Sequence, residues 1–324
     1  MTINSIFLMV LTGLQLGAIY ALIALGLTLI FGTLGVVNFA HGALYLIAAD
    51  CAVFVAQSLG FGLAIVLVPI ILFIFGIAME RGLIRFFYQR PHTDQILVTF
   101  GIAIVVEEVL KWMFGANNIP FALPSWGAGQ VLFYGLGANV PAAIPGIRVP
   151  MPFLEGFAFF PAWRLLLIIV TAVTIFALFA LLQFTRFGLV LRAGMRDPEM
   201  LRFLGVNVTI RFSILFGIGA MIAGIAGVFG GPVTQVSPTV GMALLVPSFL
   251  VVVIGGMGSM LGALVAALLL GMASSFTTGF AAAVGDPTAK MALTALQQIV
   301  VYLVAVVVLL IRPRGLFGKK GIFE

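Results

Sequence analysis

The sequence predicts an all-α polytopic membrane protein of about eight or nine transmembrane helices, one of them broken or re-entrant near residues 242–258. Two observations carry that fold class. Of 324 residues, 63% are hydrophobic and only 8% are charged. A soluble domain is roughly 25% charged, so most of this surface must face lipid. The apolar residues also fall into stretches matching the ~20 helical residues that cross a bilayer core of about 30 Å. The same composition excludes disorder, a coiled coil and a secreted disulfide scaffold. Cys51 is the single cysteine, and in its apolar run it acts as a small hydrophobe.

In chain order, spans are expected near 5–31, 36–58, 62–84, 96–113, 164–185, 210–230, 242–255, 259–280 and 292–311, all in one domain, 1–324. Up to Leu34 there is no Lys or Arg, and the apolar run far exceeds the roughly 7–15 residues of a signal-peptide core, so the first stretch stays as a span. The segment 114–161 breaks the pattern with seven prolines and only Arg148 and Glu155 charged. It reads as an external loop, with Trp126, Tyr134 and Phe153 suited to the headgroup level; it is either a plain connector or a surface that docks a partner. Pro247, Gly255, Gly256 and Gly258 interrupt the stretch near 242–258, which is why that element reads as broken or re-entrant. GxxxG spacings at Gly13/Gly17, Gly227/Gly231 and Gly258/Gly262 favour a tightly packed bundle.

The formal charge of +6 matters less than its placement. Arg81, Arg85 and Arg90 fall in one break, Arg186, Arg192, Arg196, Arg202 and Arg211 in a second, and Arg312, Arg314, Lys319 and Lys320 in the tail 312–324. The positive-inside rule puts all three in the cytoplasm. With nine crossings the N-terminus is then outside, and an even number would move it inside. No nucleic-acid partner is implied.

The second break carries a helix signal. Asp197 reads as N-cap, Pro198 as the first helical residue, Glu199 as a first-turn acid and Gly205 as the stop. Met200, Leu201, Phe203 and Leu204 give that short helix an apolar side, and at this length it needs a surface to dock on. Two surfaces are open: a groove in a cytoplasmic partner, or anionic lipid with Arg192, Arg196 and Arg202 outward.

Several polar groups lie inside the apolar stretches. Asn38 and His41 enter the second span, where such a pair either faces a cavity or bonds between helices. Asp50, further along the same span, either packs or lines a path. Gln15 suits either an interhelical bond or a weak contact to a passing solute, whereas Glu107, Glu108 and Lys111 at the end of the fourth span read as a local ion-pair cluster. With two histidines and one cysteine no metal site is expected, and no phosphate-binding G-x-x-x-x-G-K-[ST] occurs, so any ATP chemistry needs another chain.

The segments Gly32-Thr-Leu-Gly-Val-Val-Asn-Phe-Ala-His-Gly42, Gly188 to Asn207, Gly255-Gly-Met-Gly-Ser259 and Arg312-Pro-Arg-Gly-Leu316 resemble the permease subunits of branched-chain amino acid ABC importers, over nearly the whole chain. The resemblance implies a non-enzymatic subunit of the bacterial inner membrane. It pairs with a second related permease, more readily a different chain than a copy, above two ATPase subunits that carry ATP and Mg, and beneath a periplasmic solute-binding protein. It would make 186–210 the coupling loop, centred on Arg192 and Arg196 to Gly205, with Gln15, Asn38, His41 and Asp50 on the path. The implied solute is a branched-chain or other apolar amino acid, the alternatives being urea, short amides or small organic acids. An ion-coupled transporter or channel acting alone is the competing class, and the scarcity of paired mid-membrane charges weighs against it.

Overall fold

The computed structural model describes residues 2–135 and 146–318. Residues 136–145 of the long loop and Lys319 and Lys320 of the tail lie outside the described residues, as do the side chains of Arg196, Pro198 and Arg202.

Eleven helices follow one another among the described residues: α1 Ile3–Leu34, α2 His41–Leu59, α3 Phe61–Gly82, α4 His92–Phe114, α5 Ala162–Phe184, α6 Arg186–Arg196, α7 Pro198–Phe203, α8 Val208–Thr234, α9 Val240–Gly255, α10 Met260–Ala283 and α11 Pro287–Ile311. Nine of these answer to the nine expected stretches. Six (α1, α2, α3, α5, α8 and α10) are long and apolar enough to cross a membrane, and α11 is a seventh if its two halves, which meet at 57°, are one span. The chain is thus a multi-pass membrane protein. One departure from helix lies in the long loop: β1 Gln130–Tyr134 pairs in parallel with β2 Ile147–Pro150 and antiparallel with β3 Phe157–Pro161.

The contacts define two ends. Asn4 bonds the backbone at Glu155, and Phe7 packs on Phe133, so α1 starts beside the sheet. It finishes with Gly32 against Gly258. The three arginine-bearing breaks meet at that second end. Glu80, at the end of α3, accepts from Ser213 of α8 at 2.5 Å, and the tail amides of Leu316 and Phe317 donate to Ile254 and Gly255. Burial, and then the bond it donates to Glu80 at 2.6 Å, hold the Tyr88 phenol above its usual range, so it stays a donor in that first break.

α1–α4 and α8–α11 repeat the same order with opposite direction. α3 lies along α8 as α1 lies along α10, and α2 packs on α3 as α9 packs on α10. α2 and α9 start inside the bundle at equivalent places. A Cβ on Gly42 would stand 2.4 Å from the Gly241 carbonyl oxygen and 2.9 Å from Leu245, and one on Gly241 would stand 2.6 Å from the Gly42 oxygen and 3.2 Å from Leu46. Inverted repeats joined at discontinuous helices are a transporter architecture. The expected second span, 36–58, therefore begins too early: 35–40 is non-helical lead-in. Two of its amides find partners inside the protein, Phe39 N donating to Thr99 Oγ1 at 3.0 Å and Ala40 N to Asn38 Oδ1 at 3.1 Å, the kind of bonding that non-helical chain at membrane depth requires. Nor does Pro247 break α9, which is continuous; the irregular backbone precedes it, where Gln235 has φ 61°.

At the sheet end Asp286 caps α11. It accepts from the Thr288 hydroxyl at 2.6 Å and from the amides of Thr288 and Ala289, both at 3.3 Å, and these donors hold its carboxyl below the ordinary 3.8. A lowered folded value means the cap contributes fully above the unfolded value and is lost as pH falls through the folded one. The protection of the Thr288–Lys290 amides, taken against their intrinsic exchange rate at each pH, should therefore fall on acidification below 3.8. Asp286→Ala should lack that protection at every pH, and identical protection profiles for the two proteins would remove the cap from the account.

Candidate functional site

Residues 185–207 form a capped double helix at the arginine end. Thr185 Oγ1 accepts from Gly188 N at 3.2 Å to start α6, and Arg192 of α6 reaches back to the Leu182 carbonyl of α5. Asp197, extended at φ −149°, separates α6 from α7. Its Oδ1 accepts from Met200 N at 2.9 Å, as the sequence predicts for an N-cap. Gly205 has φ 74°, and Val206 N donates to Leu201 O at 3.0 Å, the bond that closes a left-handed helix stop. Asn207 then caps α8 through Ile210 N at 3.1 Å. α6 was missed in the sequence, although Phe187, Leu191 and Gly194 stand at helical spacing.

The apolar side expected for α7 divides in two. Leu201 turns inward beside Gly194, where Val208 and Phe212 also converge, and is 9% exposed. Met200, Phe203 and Leu204 turn outward at 57%, 87% and 71% exposed. The cap, the glycine stop and the Leu201 anchor together hold six helical residues that could not persist as an isolated helix. Arg192 reaches the Leu182 carbonyl of α5 and stays exposed to the surroundings.

Of the residues expected on a path, Asn38 and His41 come together at the start of α2. Gln15 and Asp50 do not join them. Gln15, Asn38 and His41 are buried, and Gln15 Nε2, Asn38 Nδ2 and both His41 ring nitrogens lack a partner. The His41 ring fills the space a side chain would need at Gly26, where α1 meets Gly219 of α8. Asp50 lies towards the sheet end, in a narrow crevice with Lys111 and Asn117. Lys111 Nζ is 2.8 Å from both Glu107 and Glu108, the local cluster the spacing predicts.

A cavity of about 680 Å³ opens at the arginine end between α1, α5, α6 and the 257–261 turn, and none of those four residues lines it. Leucines dominate its walls, and Thr28, Gln183, Arg192 and Ser259 are polar points in it. Sequence reading singled out Arg192, and Ser259 only within the segment that carries the resemblance, each for a different reason. The others carry no local signal, because the cavity is made by helices far apart in the chain.

The family described as branched-chain amino acid transport system, permease component, matches residues 9–309. The chain is 27% identical over 325 residues to the high-affinity branched-chain amino acid transport system permease protein LivH of Escherichia coli K12, covering 96% of this chain and 94% of that protein. It is 27% identical over 322 residues to the corresponding protein BraD of Pseudomonas aeruginosa, covering 96% and 95%. To a probable branched-chain amino acid transport permease protein LivH of Methanocaldococcus jannaschii it is 24% identical over 301 residues, covering 92% and 88%. No solved structure matches the chain.

Proposed function

The chain belongs to the family of branched-chain amino acid transport permeases, and from that premise we propose that it forms one half of the solute path of an ATP-driven importer in the bacterial inner membrane. The arginine end faces the cytoplasm, since it gathers the basic breaks, and the N-terminus and sheet face outward. Two ATPase subunits carrying ATP and Mg bind beneath the arginine end. A second, different permease completes the path, and an external binding protein delivers a branched-chain amino acid, the solute that names the relatives matched over nearly their whole length.

One observation carries this reading: α7 is pinned from behind by Leu201 and presents Met200, Phe203 and Leu204 outward. An apolar knob on a capped, anchored turn fits a groove in a rigid partner, the helix-in-groove mode of recognition.

The test is a crosslink. With Cys51 replaced by Ala, Met200→Cys should join the ATPase subunit through a short crosslinker that is thiol-reactive at one end and photoreactive at the other, and the yield should change on adding ATP. Reaction with lipid-soluble probes alone, and never with an ATPase chain, would remove the coupling assignment.

A further inference from the structure

We propose that the first arginine-bearing break, residues 81–90, is a binding site for the headgroup of an anionic phospholipid. This needs only the membrane placement of the chain and not the importer reading. The break holds a short 3-10 turn, Ile84–Phe87, between α3 and α4, and its two sides differ. Ile84 is buried, whereas Leu83 and Phe86 are 47% and 71% exposed and stand among Arg81, Arg85 and Arg90, all three exposed. From 81 to 94 those arginines meet a single acid, Asp94. Among the described residues none of the three forms an ion pair.

The turn holds that set in place. Tyr88 donates to Glu80 at 2.6 Å, and Gln95 Nε2 donates to the carbonyls of Phe87 and Arg90, both at 3.1 Å. Glu80 is itself fully buried and takes the Ser213 hydroxyl on its other oxygen, so the carboxylate next to Arg81 in sequence is engaged inward. Groups presented from a bonded turn lose less freedom on binding than groups on a loose loop.

The occupant follows from what the turn continues. α3 is long and apolar enough to cross a membrane, and its exposed side runs through Ile70, Ile74 and Ala78 to Arg81 at helical spacing. Leu97, Phe100 and Ile104 form the matching exposed side of α4. Both helices pack on α2 and not along one another, so the two apolar sides are joined only through the turn. The arginines therefore stand where hydrocarbon gives way to phosphate, and Leu83 and Phe86 rest among the upper acyl carbons. A guanidinium matches phosphate oxygens in pairs, and each basic residue at this depth favours anionic lipid about fivefold.

The experiment places the photoreactive residue p-benzoylphenylalanine at Phe86 of the full chain. The chain, with the subunits that co-purify with it, is held in phosphatidylcholine nanodiscs containing a minor share of phosphatidylglycerol of the same acyl chains. After irradiation, mass spectrometry identifies what is attached. Phosphatidylglycerol adducts should exceed that lipid's share of the bilayer by about tenfold or more, as two or three arginines acting together require. Arg85→Gln should lower this enrichment about fivefold. Arg81→Gln, Arg85→Gln and Arg90→Gln together should return capture to the bilayer ratio, while Lys at the same three positions should keep most of the enrichment, which separates lost charge from a disturbed turn. Adducts to a protein chain would give the turn to a protein partner, and lipid adducts in the bulk ratio would leave the arginines without a specific ligand. Either result overturns the proposal.

Discussion

Phe203→Asp is expected to abolish solute uptake while the permease still inserts and folds. Phe203 is 87% exposed in the single chain, so a carboxylate there is solvated and costs little until the partner docks. Docking must then bury that charge in an apolar groove, at several kcal/mol, and about 4 kcal/mol is roughly a thousandfold in association. Leu201→Asp, two residues earlier, should fail differently. Leu201 is 9% exposed beside Gly194, so its carboxylate is forced into the chain's own packing, and the loop should open to proteolysis before any partner is added. Limited proteolysis of the purified permease, beside uptake in cells, separates the two. Normal uptake with Phe203→Asp would mean that this face docks nothing.

Gly42→Ala should be among the most damaging single substitutions away from the coupling loop. Its Cβ would lie 2.4 Å from the Gly241 carbonyl oxygen and 2.9 Å from Leu245 Cβ, and neither neighbour can rotate away, since one is backbone and the other the root of a side chain. Overpacking typically costs about 1–3 kcal/mol and occasionally more, and a clash with backbone belongs at the top of that range. Gly241→Ala meets the Gly42 oxygen at 2.6 Å and should behave alike. The double variant should cost less than the sum, because the separation forced by one methyl group also makes room for the other. Gly62→Ala is the control: nothing lies within 4 Å of its Cβ position, and removing a helical glycine should be neutral or gain about 0.5–1 kcal/mol. Denaturation of the four proteins in one detergent measures this. Equal stability of Gly42→Ala and Gly62→Ala would show that the starts of α2 and α9 do not meet as closely as described.

What could be read from the sequence was local. The Asp197 cap, the Gly205 stop and the Lys111 pairs were legible because each is a contact between residues three to five apart. Asn38 and His41 were legible as unusual, since polar groups within apolar runs are costly wherever they end up. Their surroundings were not, because the space around His41 is set by Gly26 and by Gly219, far along the chain.

The sequence by itself determined the solvent, the approximate spans and the family, because hydrophobicity, length and motif are properties of short stretches. The tertiary structure alone decided where α2 and α9 begin. An apolar run reads the same whether it is helix or buried lead-in, and the difference rests on partners such as Thr99 for the Phe39 amide. It also decided that Leu201 anchors while Phe203 projects, since in so short a helix α6 and α8 select the inward face. Last, it decided that a cavity opens between α1, α5, α6 and the 257–261 turn. A cavity is the space several distant helices fail to fill, and no single stretch of sequence encodes it.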